Sequence, residues 1–173
     1  MKSKKYLLFW CLVGAIVAFD QWTKLLIYTQ FQLGESLDIL NNYFNITYVK
    51  NYGAAFGFLA SATPIIRDNI FLILPPIAML VIIYMHYKAP KEDILQVTAL
   101  GLILGGALGN YIDRMRFGFV VDFLDFHFQH RASWPAFNVA DMAIVFGIFI
   151  LIVFVSYDEE TEKMQSKGKR KVF

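Results

Sequence analysis

Residues 94–112 run Ile94-Leu95-Gln96-Val97-Thr98-Ala99-Leu100-Gly101-Leu102-Ile103-Leu104-Gly105-Gly106-Ala107-Leu108-Gly109-Asn110-Tyr111-Ile112. The stretch is close to the ~20 apolar residues that cross ~30 Å of hydrocarbon, and it runs into a polar group, Asn110, Asp113 and Arg114. Gly101, Gly105 and Gly109 recur at every fourth position with Gly106 beside them, a small-residue stripe that lets another helix approach closely. Such stripes serve homodimers or intrachain contacts, and a compact bundle favours the second, so a monomer is expected. Three further stretches, 6–28, 70–87 and 139–157, have comparable length and apolarity.

Composition agrees with a membrane chain. Of 173 residues, 57% are hydrophobic and 17% charged, with 17 phenylalanines and a mean hydropathy of +0.49, which ordinary soluble domains do not show. Cys11 is the sole cysteine, so no internal disulfide exists, and its place inside the first apolar run reads as packing. Met1-Lys2-Ser3-Lys4-Lys5 before that run resembles the start of a cleavable leader. The run continues through Trp22 to Tyr28 without a small-residue cleavage site, so it is expected to stay as an anchor.

Basic residues set the expected orientation. Lys2, Lys4 and Lys5 precede the first span, Lys88 and Lys91 lie between the second and third, and Lys163, Lys167, Lys169, Arg170 and Lys171 fill the end. The positive-inside rule puts all three segments in the cytoplasm, leaving loops 29–69 and 113–138 outside and a solvated tail at 158–173. Asp20 and Lys24, Asn110 with Asp113 and Arg114, and Asn138 with Asp141 then all fall at the outer end of their spans. Residues three or four apart share a helix face, and incidental polar groups would scatter between both ends. For Asp20, Lys24, Asp113 and Arg114 two readings stay open: ion pairs that hold helix ends, or parts of one site.

Asp122, in Val120-Val121-Asp122-Phe123, and Asp141, in Phe137-Asn138-Val139-Ala140-Asp141, each adjoin a span. Carboxylates at the edge of lipid are costly, and two of them can share one proton for acid/base work. Burial raises a carboxylate's pKa and a helix N-terminus favours its charged form, so the titration belongs to the pair. Pro75-Pro76 predicts a kink in the second span and an opening toward lipid. Alternation over Tyr43–Val49 predicts a short strand or hairpin, with a tight return at Asn51-Tyr52-Gly53-Ala54-Ala55-Phe56-Gly57. Phe44, Ile46, Phe56 and Phe58 would cover the site or touch lipid headgroups.

Other chemistries find little support. His127 and His130 form H-x-x-H, but only Asp125 stands near as a further ligand, so no metal is expected. No phosphate loop, Ser-His pair with a placed acid, or nucleic-acid-binding patch occurs. Arg116 and Arg131 are expected to meet phospholipid headgroups. The sequon Asn45-Ile46-Thr47 is too common a pattern to weigh.

Taken in order, Asp20-Gln21 with Lys24, Asn51-Tyr52-Gly53-Ala54-Ala55-Phe56, Gly105-Gly106-Ala107-Leu108-Gly109-Asn110-Tyr111-Ile112-Asp113-Arg114, Val120-Val121-Asp122-Phe123 and Phe137-Asn138-Val139-Ala140-Asp141 resemble the motifs of bacterial lipoprotein signal peptidase, signal peptidase II. Met142 departs from the small or hydroxylated residue frequent there. The resemblance implies an all-α membrane protein of four transmembrane helices with a small extracytoplasmic β-rich loop domain, one peptidase domain over 1–173 in the bacterial inner membrane. It implies an aspartic endopeptidase with Asp122 and Asp141 as catalytic dyad. Asp20, Lys24, Asn51, Asn110, Arg114 and Asn138 would hold the dyad or touch substrate, and Asp113 would be structural. The substrates implied are diacylglyceryl-modified prolipoproteins, cut N-terminal to the lipidated cysteine. Globomycin-type inhibitors and membrane phospholipid are the other implied partners, with no cofactor and no nucleic acid.

Two other classes are weaker. A proton-coupled transporter would place its carboxylates near the midplane and show an internal repeat. An assembly subunit would explain the glycine stripe, but not two aspartates beside asparagines at separate spans.

Overall fold

The computed structural model describes residues 2–53, 63–89, 93–128 and 132–170. Phe56, Phe58, Lys91, His130, Arg131 and Lys171, which figure in the expectations above, lie outside the described residues. The element order is α1 (Lys2–Gln30), β1 (Ser36–Leu40), β2 (Phe44–Asn51), α2 (Pro64–Lys88), α3 (Ile94–Phe117), β3 (Val120–Phe128), β4 (Ala132–Ser133) and α4 (Val139–Arg170).

Among the described residues, Lys4–Gln30, Asn69–Lys88 and Ile94–Phe117 are long and apolar enough to cross a membrane, and Val139–Val155 is a shorter apolar helix. α2 starts at Pro64, earlier than its apolar run, because proline suits the first helical turn where its missing N–H costs nothing. α3 runs past Ile112 to Phe117 and stops at Gly118, whose φ of 75° permits the left-handed cap in which its N–H bonds Arg114 O at 3.0 Å. α4 runs on past the expected span end at 157: its backbone stays helical through Arg170. Glu159, Glu160, Glu162, Lys163, Met164 and Gln165 are good helix formers, which favours continuation.

α3 is the axle of the bundle, with α1, α2 and α4 packed on it. The glycines explain how. A Cβ at Gly101 would meet Leu12, one at Gly105 would stand 2.8 Å from Cβ of Ile16, and one at Gly106 would run into the Ala140 carbonyl. The stripe thus seats α1 and α4 on α3 within one chain. Gly147 does the same from α4, where a Cβ would lie 2.7 Å from the Ala99 carbonyl. Phe9, Val13, Met79, Val97, Leu100 and Leu104 form the helical core. Cys11 differs from expectation: it is exposed on α1, outside this core.

At one end of the bundle β1, β2 and β3 form an antiparallel sheet, with the two-residue β4 on the far part of β3. The β-rich unit therefore joins both loops rather than the first alone, and Asp122 sits on strand β3. The β1–β2 return lies at Asn41-Asn42-Tyr43, earlier than the expected glycine segment. Asn42 supplies the positive φ of 69°, which asparagine tolerates. Ile27, Tyr48, Phe119, Val121 and Phe123 form a second core that fastens the sheet to the helices.

Candidate active site

Strand register brings the first pair together. Asn51 faces Val120 and Val49 faces Asp122 across β2 and β3, so Asn51 and Asp122 are diagonal neighbours on one face of the sheet. Asn51 Nδ2 donates to Asp122 Oδ2 at 2.9 Å.

Asp141 arrives from the opposite direction, in the first turn of α4. Asn138 caps that helix: its Oδ1 accepts the Asp141 N–H at 2.9 Å, and Asp141 Oδ2 accepts the Asn138 N–H at 3.3 Å, a reciprocal cap of the capping-box kind. The same Asn138 donates through Nδ2 to Asp122 Oδ1 at 2.7 Å and to Asn110 Oδ1 at 3.1 Å. One fully buried asparagine therefore bonds both carboxylate residues. Asn110 completes the set from α3, donating through Nδ2 to Asp141 Oδ1 at 2.7 Å.

Beneath this layer lies a buried charge cluster. Lys24 Nζ sits 2.9 Å from Asp20 Oδ2 and 3.1 Å from Asp113 Oδ2, with all three side chains at most 3% exposed, and it donates to Asn110 Oδ1 at 2.8 Å. The two acids also grip backbone next to the upper layer. Asp20 Oδ1 accepts the Ala140 N–H at 2.9 Å, and Asp113 Oδ2 accepts the Val121 N–H at 3.1 Å. Each bond fixes the residue preceding a dyad candidate. Gln21 joins them, donating through Nε2 to Asp113 Oδ1 at 2.8 Å and to Gly109 O at 3.1 Å.

Asp20, Lys24, Asn51, Asn110, Asp113, Asn138, Asp122 and Asp141 thus form one connected network from α1, β2, α3, β3 and α4. Arg114 stands at its edge, donating from Nη2 to Gly53 O at 3.1 Å with its guanidinium 4.6 Å over the Phe71 ring. A shallow cavity lined by Tyr52, Phe71, Leu72, Arg114 and Gly118 opens there. Gln21 was absent from the expected support residues, although a polar amide inside an apolar span was a legible signal. The backbone donors of Ala140 and Val121 had no sequence signal, because any residue type carries an N–H.

Other residues stand apart. Asp125 accepts from Thr47 Oγ1 at 3.0 Å on the polar face of the sheet, His127 pairs with Ser133 in the β3–β4 ladder, and Arg116 lies over the Phe117 ring. Met142 is exposed, its N–H closing the first turn to Asn138 O.

Burial is the first cause that raises Asp122, and the neighbouring Asp141 charge is the second; donors from Asn51 and Asn138 and the Lys24 charge oppose them. The result is a carboxyl pushed up to about 7. Near neutral pH such a group exchanges a proton readily.

The family model described as Signal peptidase (SPase) II matches residues 12–157. The lipoprotein signal peptidase of Syntrophus aciditrophicus (strain SB) is 44% identical over 151 residues, covering 87% of this chain and 93% of that protein. That of Moorella thermoacetica (strain ATCC 39073 / JCM 9320) is 47% identical over 136 residues, covering 79% and 84%. Among solved structures, a bacterial membrane enzyme determined in meso at 2.3 Å superposes with a TM-score of 0.80 at 31% identity, covering 88% of this chain and 90% of the other.

Proposed function

The chain belongs to the signal peptidase II family, and from that premise we propose that Asp122 and Asp141 are the catalytic dyad of an aspartic endopeptidase. As a member it is a multi-pass membrane protease that removes signal peptides from prolipoproteins. The observation that carries the dyad is Asn138, whose one side chain bonds Asp122 Oδ1 and the Asp141 N–H.

Peptide hydrolysis needs a base for the attacking water and an acid for the carbonyl oxygen and the leaving amine. Two carboxyls sharing one proton provide both. Asp122, pushed up to about 7, carries the shared proton to the substrate. Asp141, which receives N–H donors from Asn110 and Asn138, takes the proton of the attacking water. The asparagines and the Lys24 cluster hold the two carboxyls in register, so little reorganisation accompanies the reaction.

The substrates are diacylglyceryl-modified prolipoproteins, cut N-terminal to the lipidated cysteine. Their acyl chains and signal helix remain in the bilayer while the scissile bond meets the sheet end of the bundle. The whole of 1–173 acts as one domain with four spans in the bacterial inner membrane, α4 supplying the fourth. Both termini are cytoplasmic, and Arg116 meets phospholipid headgroups. Globomycin-type peptides inhibit it, and the working unit is a monomer, since the glycine stripe is occupied by α1 and α4. The deciding experiment is cleavage by the purified chain of a lipidated precursor beside its unlipidated form. Equal cleavage of both, or of neither, removes the proposal.

A further inference from the structure

α2 carries adjacent prolines at Pro75 and Pro76, yet stays helical from Pro64 to Lys88. Proline has no N–H, so the carbonyls of Phe71 and Leu72 lose the donors that residues four further along would supply. One of them is met from outside the helix: Tyr111 Oη, on α3, donates to Leu72 O at 3.3 Å. The other freed carbonyl belongs to Phe71, whose ring lies under the Arg114 guanidinium.

The two sides of the prolines are held differently. Toward the Lys88 end, Met79 is buried and Ile82, Ile83 and Met85 pack on the helical core. Toward the sheet end, Ile65, Ile73 and Leu74 are exposed, while Leu72 O accepts from Tyr111 Oη and the Phe71 ring lies against the Arg114 guanidinium. The cavity lined by Phe71, Leu72 and Arg114 lies at this junction. A helix with two missing internal bonds bends at that point more easily than elsewhere.

We propose that Tyr111 is a positioning residue for substrate access: its hydroxyl latches α2 at Leu72, and segment 64–74 swings about Pro75-Pro76 to admit the lipidated peptide laterally from the bilayer. Release of the latch draws Phe71 from beneath Arg114 and exposes the guanidinium beside the dyad. This rests on the reading of the site as a peptidase for membrane-resident substrates. A merely structural role gives a different pattern. Restoring the missing N–H donors by Pro75→Ala with Pro76→Ala would then strengthen the helix and leave catalysis alone, whereas a hinge loses turnover as it gains stability.

The test uses the full chain with Cys11→Ala in nanodiscs of phosphatidylethanolamine and phosphatidylglycerol, spin-labelled at Ile65→Cys and Val145→Cys. Two distance populations are expected in this background. Tyr111→Phe should raise the ratio of open to latched molecules about three- to tenfold, the shift that loss of one neutral hydrogen bond produces. It should alter KM more than kcat and leave the pH dependence of turnover unchanged. The double alanine variant should show the latched distance alone, melt higher, and fall about tenfold in kcat/KM on lipidated precursor, as hinge variants do. Identical distance distributions in all three proteins, or wild-type turnover in the double variant, overturn the hinge. A parent chain that shows both distances but never cleaves the lipidated precursor overturns the peptidase reading instead.

Discussion

The ammonium of Lys24 lies 2.8 Å from Oδ1 of Asn110, and this contact decides which way the Asn110 amide points. With its oxygen held by a cation and by Asn138 Nδ2, Asn110 can turn only its Nδ2 toward Asp141, which it does at 2.7 Å. Lys24 thereby acts on the dyad without touching it. Lys24→Met keeps the length of the side chain but leaves Asp20 and Asp113 as buried like charges. Breaking a buried ion pair from one side costs about 3–5 kcal/mol. A large drop in melting temperature in detergent, together with loss of cleavage, is the expected outcome; an unchanged melt would remove Lys24 from its supporting role.

Asp122→Asn and Asp141→Asn keep side-chain volume but remove the exchangeable proton. Cleavage of the lipidated precursor should fall by about 10²–10⁴-fold or more for either change, while each variant still inserts and melts cooperatively. Folded variants with near-normal turnover would end the aspartic assignment. Asp113→Asn belongs to another class: it weakens the bond that holds Val121 N–H, so reduced stability and a displaced Asp122 are expected rather than loss of an acid.

The pH profile follows from Asp122. Its carboxyl is pushed up to about 7, by burial first and by the Asp141 charge second, so the shared proton is present below that value and lost above it. Turnover should therefore decline as pH rises through about 7. Asn51 donates to Asp122 and favours its charged form. Asn51→Ala removes that donor, so the descending limb should move to higher pH even as the maximal rate drops. Initial rates across pH for both proteins test this, and a limb moving to lower pH would contradict the geometry.

The glycines make a packing prediction. Gly106→Ala places a methyl against the Ala140 carbonyl and Ile144, and overpacking of this kind costs about 1–3 kcal/mol. Because Ala140 precedes Asp141, activity should fall with stability. At Gly14 a Cβ meets nothing within 4 Å, so Gly14→Ala should be neutral or gain about 0.5–1 kcal/mol from helix propensity. Thermal melts of the pair separate the two effects. Size-exclusion of Gly106→Ala should show no change of oligomeric state, since the stripe is used within the chain.

The membrane class, the approximate helical stretches and the polar residues at one end of the bundle were legible in the sequence, because hydropathy and helical spacing act locally. Asp20 with Lys24, and Asn138 with Asp141, announced themselves by spacing alone. The continuation of α4 and the Asn41-Asn42 turn were signalled too, by helix propensity and by residues that tolerate positive φ, and were outweighed by the stronger charge and glycine patterns. What residue order could not supply was pairing between distant segments. That Asn51 lies diagonal to Asp122 depends on a register with a shift between Ile46 and Val49, and that Lys24 governs the Asn110 amide depends on how closely glycine lets α1 approach α3. The grip of Asp20 on Ala140 N–H and of Asp113 on Val121 N–H uses backbone groups that every residue possesses. Their significance arises only when burial removes water as an alternative partner, which is a property of the folded molecule and not of any stretch of its sequence.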